Sequence, residues 1–205
     1  MSNRLNTYLA CMEELKRRYF IAEKQLMEFE ENSDFSETSL DIVALQLRKM
    51  IELIGFASMG AHLDNYKTLK PAFAKEWKFS GIMRRIERIN FDCLPRPVEK
   101  VRSSEPGIDW HFSFPTENRM EVRELVQWHG QLNVFAHANN PFKAIPDVSE
   151  QLKLLNGIMD SLRHHMWHHL YMIEQADNGF VIELNNADEN VSAVEFQAQG
   201  ENDVH

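Results

Sequence analysis

The chain is poor in cysteine and in long apolar runs. Among its 205 residues only Cys11 and Cys93 are cysteines, and their spacing fits neither a metal site nor a redox pair. Two such thiols are typical of a reducing compartment. No apolar run approaches the roughly 20 residues that span a bilayer, and the polar residues 1–6 lead into a charged segment instead of a signal peptide. We therefore expect a cytoplasmic protein with no membrane partner.

The chain also lacks the motifs of several large enzyme classes. It contains no phosphate-binding glycine loop, no nucleophile elbow and no zinc-ribbon cysteines. Overall positive charge is missing as well, since 22 Lys and Arg face 31 Asp and Glu, a net charge of −9. This balance argues against a protein that coats nucleic acid over its whole surface. We expect no cofactor.

Charge is nevertheless distributed unevenly along the chain. The segment 67–102 holds ten Lys or Arg against four Asp or Glu, whereas no Lys or Arg follows Arg163. Arg84, Arg85 and Arg88 belong to the basic segment and are candidate contacts to phosphate groups. Two interpretations remain open, because this segment could bind RNA or could pair with the acidic C-terminal residues of the same chain.

Apolar side chains recur at helical spacing in five segments. Residues 3–31 carry a heptad seam that predicts one long helix, which packs either on its own neighbours, as we favour, or on a second copy. The second helix is apolar nearly all round, which is typical of the centre of a bundle. The predicted helices after the first run from Leu40 to Ala61, over 76–89, from the cap Thr116 to Ala138, and onward from Asp147.

Strands are predicted mainly near the C-terminus. A short strand at 108–114 comes first, and Pro95 and Pro97 are expected to end regular structure before it. Asn178-Gly179 predicts a two-residue hairpin turn, and a second turn at 186–190 leads to a strand at 191–196. The chain is thus predicted to be mainly α with a small β part (α+β). We expect an up-down bundle of about five helices (1–165), a three-stranded antiparallel meander packed on it (166–198) and a tail (199–205).

The fourth predicted helix carries the best candidates for chemistry. When it is projected at about 100° per residue, His129 falls at the edge of the apolar side and Asn133 follows one turn later. A polar row on the outward side consists of Arg123, Gln127, Gly130 and His137. This row is either an ordinary solvated face or a surface that a phosphate backbone approaches at Gly130.

The end of this helix and the second helix add further polar candidates. A histidine near a helix C-terminus, such as His137, can act as an acid or base near neutral pH or can simply cap the helix. Asn140 precedes a proline and is predicted to be extended. In the second helix Arg48 and Glu52 are four residues apart. We favour an intrahelical ion pair over the alternative in which Arg48 contacts the polar row of the fourth helix.

Four histidines cluster at positions 164, 165, 168 and 169. On one helix, residues four apart would share a face and could bind zinc or nickel. A strand that begins near Trp167 would split those pairs, and no cysteine or acidic spacing completes a site. We therefore predict no metal.

Three blocks, 45–54, 89–97 and 137–142, resemble a group of uncharacterised bacterial proteins and, more remotely, the HEPN superfamily of helical bundles. The resemblance implies a homodimer that is a metal-independent endoribonuclease or an RNA-binding protein of a toxin–antitoxin or phage-defence system. The family motif pairs an arginine with a histidine a few residues later. Arg123 and His129 fit this motif with five residues between them, although Glu124 stands where relatives often have an amide.

The resemblance also implies roles for these residues. Arg123 would bind the scissile phosphate, and His129 would transfer the proton of the ribose 2′-hydroxyl. A second version replaces His129 by His137. Apart from the resemblance, we expect further RNA contacts from Arg48, Asn133 and Asn140 and from the three arginines of the basic segment. The alternative from a different class is a non-catalytic interaction module, whose acidic strands and long first helix bind a protein partner.

Overall fold

The computed structural model describes residues 3–31, 37–61, 78–104, 106, 110–113, 119–136, 147–172 and 178–197. Within these ranges five α-helices share a hydrophobic core, and small antiparallel sheets lie beside them. Tyr171, Ile182 and Leu184 from the sheet region belong to the same core as the helices. The predicted α+β class and the C-terminal antiparallel meander are therefore confirmed.

Helix α1 (Asn3–Glu31) packs along helix α2 (Glu37–Ala61) through the heptad seam that the sequence predicts. The buried seam residues are Leu5, Tyr8, Met12, Leu15, Tyr19, Ala22 and Leu26. Because the chain's own side chains cover this seam, the preferred interpretation of packing within the chain is confirmed.

Helix α2 contacts every other helix within the described ranges, in agreement with its predicted central place. Its burial is nevertheless incomplete. One face remains open to solvent and consists of Asp41, Ile42, Leu45, Lys49 and Phe56, which we call the exposed α2 face. Because Ile42, Leu45 and Phe56 lie on this face, the sequence of the helix is apolar on nearly every side.

Three shorter helices complete the bundle. They are α3 (Phe79–Ile89), α4 (Val122–Leu132), which continues as a 3₁₀ turn (Asn133–Ala136), and α5 (Val148–Met166). Helix α5 begins where the sequence predicts, because the Asp147 carboxylate accepts a hydrogen bond from the backbone N–H of Ser149. The predicted start of α3 at Glu76 lies outside the described residues.

The predicted cap of α4 at Thr116 is wrong. Residues 119–121 are not helical, and Glu121 is the N-cap residue. The carboxylate of Glu124 accepts a hydrogen bond from the backbone N–H of Glu121 at 2.9 Å, which satisfies one donor at the helix start. The sequence signal for this capping box was the three-residue spacing of the two glutamates.

The main sheet contains the predicted meander of β4 (His168–Met172), β5 (Asn178–Glu183) and β6 (Ser192–Gln197). A short strand β1 (Arg96–Pro97) pairs antiparallel with β4, so the strand order is β1-β4-β5-β6. The expectation that Pro95 and Pro97 end regular structure is therefore wrong. Pro97 is tolerated because β1 is an edge strand.

The predicted two-residue turn at Asn178-Gly179 is wrong as well. Both residues belong to β5, and Gly179 lies opposite Met172. A turn at 178–179 would have placed Asp177, Ala176 and Gln175 opposite Phe180, Val181 and Ile182. The observed register instead pairs Tyr171 with Phe180. Burial of apolar residues thus overrides the local turn signal.

The sequence predicts only one strand of a second, two-stranded sheet. It consists of β2 (Glu99–Arg102) and β3 (Trp110–Ser113), of which only β3 falls within the predicted strand at 108–114. Phe112 of β3 packs on Val98, Leu170 and Val181, and Lys100 of β2 forms an ion pair of 2.7 Å with Glu183. The hairpin is therefore anchored on the main sheet.

Candidate functional site

Helices α2 and α4 bring four polar side chains together. Arg48 Nε donates to Glu52 Oε1 at 3.3 Å, and Arg48 Nη1 donates to Asn133 Oδ1 at 2.5 Å. The favoured intrahelical pair is thus present, and the alternative contact with the fourth helix is present beside it. Nε2 of His129 lies 2.9 Å from the same Glu52 Oε1. We call Arg48, Glu52, His129 and Asn133 the His129 cluster.

The imidazole of His129 is held on two sides. Its ring stacks on Phe79 of α3, with ring centroids 4.6 Å apart and an angle of 24° between the planes. Its side chain is only 12% exposed. Because the Glu52 carboxylate accepts a hydrogen bond from Nε2–H, the neutral ring carries its proton there and has its lone pair on Nδ1. The cluster therefore presents an oriented imidazole beside a guanidinium.

The local sequence explains this arrangement. His129 and Asn133 are four residues apart along α4 and its 3₁₀ extension, and Arg48 and Glu52 are four apart on α2. Residues at this spacing share a helix face, so the two pairs can meet across the helix interface. Leu125 and Leu132, buried on α4, hold that face against the core. Each spacing was visible in the sequence, but their meeting depends on tertiary packing.

Arg123 lies away from His129. Its side chain is 81% exposed and forms an ion pair with Glu121 at the start of α4. The two residues are six positions apart, which corresponds to about 120° around a helix and about 9 Å along its axis. The pair suggested by the HEPN motif thus lies on two different sides of α4. Gln127 and Gly130 are exposed, as the projection predicts, whereas His137 and Asn140 lie outside the described residues.

The three arginines of α3 lie on its outer side. Phe79, Met83 and Ile86 bury the opposite side, while Arg84 and Arg88 are exposed and Arg85 is half-buried. In the described part of the chain no ion pair joins Arg84 or Arg88 to an acidic residue of the C-terminal strands. Within the same described residues, Lys100 of the basic segment forms an ion pair with Glu183 of these strands. Pairing with the described strand residues therefore leaves Arg84 and Arg88 available.

The histidine cluster divides at the end of α5, as the sequence predicts. His164 and His165 are helical, whereas His168 and His169 belong to β4. Among the described residues no group of three or more His, Cys, Asp or Glu side chains could hold a metal ion. His169 is fully buried and His165 nearly so.

Comparison with protein-family models, with curated proteins and with solved structures finds no match for this chain. No described helix combines the length and the apolar character that crossing a membrane requires.

Proposed function

We propose that this chain is a HEPN-like, metal-independent endoribonuclease in which His129 is the acid–base group and Arg48 binds the scissile phosphate. The observation that supports this proposal is the shared contact of Arg48 and His129 with one carboxylate oxygen of Glu52. This contact holds a cation for a phosphate and a base for a hydroxyl side by side. In this proposal Arg48 binds the scissile phosphate, although the family motif assigns that role to Arg123.

The reaction needs no metal or cofactor. Nδ1 of His129 takes the proton of a ribose 2′-hydroxyl, and the 2′-oxygen attacks the adjacent phosphorus. The bond from phosphorus to the 5′-oxygen breaks, and that oxygen takes a proton from water. The hydroxide that remains takes the proton back from Nδ1 of His129. The products are a 2′,3′-cyclic phosphate and a 5′-hydroxyl. Arg48 stabilises the negative charge that develops on the phosphoryl oxygens.

Glu52 has two positioning roles. It orients the imidazole through Nε2, and it stabilises the imidazolium that forms when Nδ1 accepts the proton. It also holds the guanidinium of Arg48 through Nε, while Asn133 holds Nη1. The remaining N–H donors of Arg48 can then contact a phosphate.

The test is cleavage of single-stranded RNA in excess EDTA, beside DNA of the same sequence. We expect the RNA to be cut to products that end in 2′,3′-cyclic phosphate and the DNA to stay intact, since DNA lacks the nucleophile. Cleavage that requires an added metal ion, or equal cleavage of the DNA, would overturn the mechanism. For variants of His129 and Arg48, the matched controls are His111→Ala and Arg17→Ala, because both of these side chains are exposed on other elements.

A homodimer is the second part of the proposal, and the exposed α2 face is the surface that we assign to it. Asp41 and Lys49 are each four residues from Leu45 and have no ion pair within the described ranges. Suppose that two α2 helices pair antiparallel with Leu45 on the two-fold axis. Asp41 of each copy then lies opposite Lys49 of the other copy, so two ion pairs form. This self-complementarity is what an isologous interface requires.

An apolar groove of about 340 Å³ next to this face provides space for the second copy. It lies between α2 and the end of α4, and Leu45, Leu132 and Phe135 line it together with Arg48. Since Arg48 borders the groove, pairing through α2 brings the two His129 clusters to one seam. An RNA strand at that seam would contact both copies.

Sedimentation of the purified protein tests the dimer. We expect the Leu45→Glu variant to be monomeric, while Ile21→Glu, a change at an exposed apolar residue of α1, leaves the dimer intact. The double exchange Asp41→Lys with Lys49→Asp should retain it, whereas either single exchange should weaken it. A wild-type monomer would instead favour the non-catalytic interaction module.

A further inference from the structure

A second polar cleft lies at the N-terminal end of α4, away from the His129 cluster. It has a volume of about 260 Å³ and is lined by residues from the end of α3, from the segment after α3 and from the start of α4. Its charged lining residues are two arginines and three carboxylates, and an aromatic ring lies beside them: Arg96, Arg119, Glu87, Asp92, Glu121 and Phe91. We call Phe91, Asp92, Arg96 and Arg119 the arginine cleft.

Two guanidinium groups meet at one carboxylate in this cleft. Arg96 Nε and Arg119 Nη2 each donate to Asp92 Oδ1 at 3.0 Å. Burial and the nearby positive charge of Arg119 lower the pKa of Arg96. The two cations are thus held close together by Asp92, while Glu121 of the same cleft is paired with Arg123. The side chains of Arg96 and Arg119 are about 40% exposed. Such a pair can accept a second anion, because guanidinium donors also suit phosphate oxygens.

An aromatic side chain stands beside these cations without being buried. Phe91 is 88% exposed, the largest value among the exposed large apolar residues of the described chain. Water contact of this extent is unfavourable for a phenyl ring, and stacking of a planar group would remove it. An exposed aromatic ring beside arginines is the combination that binds single-stranded nucleic acid, through base stacking and phosphate contacts.

The surroundings of the cleft are basic although the whole chain is acidic. Residues 78–104 and 119–124 include nine Lys or Arg against five Asp or Glu. Helix α3 joins the two sites, since Phe79 at its start stacks on His129 and Phe91 lies two residues beyond its end. An 11-residue helix is about 16 Å long. A strand of a few nucleotides can therefore contact both sites.

We propose that the arginine cleft binds one nucleotide of a single RNA strand, with the base stacked on Phe91 and the phosphate on Arg96 and Arg119. This inference rests on the proposed function, because the same strand would continue to the His129 cluster. It assigns the cleft to substrate binding and not to the chemical step. Arg123, paired with Glu121 on the rim of the cleft, is then placed to contact a neighbouring phosphate.

The experiment measures binding of the full chain to a fluorescent 2′-O-methyl oligoribonucleotide, which cannot be cleaved by attack of a 2′-hydroxyl. We expect Phe91→Ala to weaken binding about tenfold and Phe91→Trp to retain it, because stacking needs a planar ring. Arg119→Ala should weaken binding similarly. Trp110→Ala is the control, as an exposed aromatic change on β3. Ultraviolet cross-linking should attach the oligonucleotide to the peptide that contains Phe91.

The outcomes separate this inference from the proposed function. Equal binding by wild type and Phe91→Ala, or no binding by wild type, overturns the arginine cleft as a nucleotide site. If Phe91→Ala binds more weakly but the wild-type protein does not cleave RNA, the arginine cleft is supported as a nucleotide site and the proposed nuclease activity is excluded. If Phe91→Ala cleaves RNA and binds the oligonucleotide as tightly as wild type, the proposed nuclease activity is supported and the arginine cleft is excluded as a nucleotide site.

Discussion

The hydroxyl of Tyr8 donates a hydrogen bond to Nε2 of His169 across 2.7 Å, and this contact joins α1 to β4 at the centre of the molecule. Nδ1–H of His169 donates to the carbonyl of Met166 at 2.8 Å, so both ring nitrogens have partners in the neutral form. His169 is fully buried, and burial lowers its pKa to about 4. A positive charge there would destabilise the interface of helix and sheet.

Acid should therefore destabilise the protein through His169. In the unfolded chain this residue takes a proton near its ordinary pKa of about 6.5, but in the folded chain only near 4. Stability is thus lost as pH falls from about 6.5 to 4. We expect this residue to cost about 2 kcal/mol of unfolding free energy between pH 7 and pH 5. Urea denaturation of wild type and His169→Gln at both pH values measures it, with His164→Gln as the exposed control. Equal pH dependence in the three proteins would refute the prediction.

Lys16 should stabilise the attachment of the β5–β6 connection to α1. Its side chain is 3% exposed and donates to the carbonyl of Glu189, while Glu13 accepts a hydrogen bond from the backbone N–H of Val191 at 2.6 Å. Lys16→Met should lower the unfolding free energy by about 1–3 kcal/mol, because the part-buried carbonyl of Glu189 loses a charged donor and Glu13 loses its ion pair of 3.4 Å with Lys16. Lys24→Met removes an exposed pair and should change it by less than about 0.5 kcal/mol. Similar losses in both variants would contradict this role.

Gly55 and Gly157 should respond oppositely to alanine. A Cβ at Gly55 would lie 2.9 Å from the sulfur of Met83 and 3.1 Å from Phe79, whereas one at Gly157 meets nothing within 4 Å. Gly55→Ala should destabilise the protein by about 1–3 kcal/mol through overpacking. Gly157→Ala should stabilise it by up to about 1 kcal/mol, since alanine favours the helix. Thermal unfolding checks both, and a Gly55→Ala protein as stable as wild type would show that α2 and α3 are less tightly packed than described.

The exposed arginines of α3 should set the salt dependence of RNA binding. Each phosphate contact on a single strand contributes about 0.7 to the slope of log K against log salt concentration. Arg84→Ala and Arg88→Ala should each reduce the slope by about that amount, and Arg17→Ala should leave it unchanged. Unaltered slopes in the α3 variants would exclude this helix from the RNA path.

Much of the fold follows from periodicity in the sequence. The seam of α1 and the cap at Asp147 depend on local spacing, and the structure confirms them. The wrong predictions concern turns and strands whose position depends on residues far apart in the sequence. The turn at Asn178-Gly179 has the right residues for a hairpin, but the register that buries Val181 and Ile182 excludes it. Strand β1 could not be foreseen because two residues carry no alternation.

The candidate site was predicted in parts and not as a unit. The helix positions of His129, Arg48 and Asn133 mark each of them as a candidate, but the contact between His129 and Glu52 joins residues 77 positions apart in the sequence. Phe79 could not be assigned to the site, since its stacking on His129 depends on how α3 packs. The motif spacing pointed to Arg123 instead, because spacing along a helix does not show which side faces a neighbour.

The most direct test of the central claim is the rate of RNA cleavage by His129→Asn in excess EDTA, compared with wild type and the exposed control His111→Asn. We expect a loss of at least about 100-fold for His129→Asn, because an acid–base group contributes about that much or more, and an unchanged rate for the control. Circular dichroism should show that all three proteins are folded. Wild-type cleavage that survives in His129→Asn, or a wild-type protein that leaves RNA intact, would contradict it.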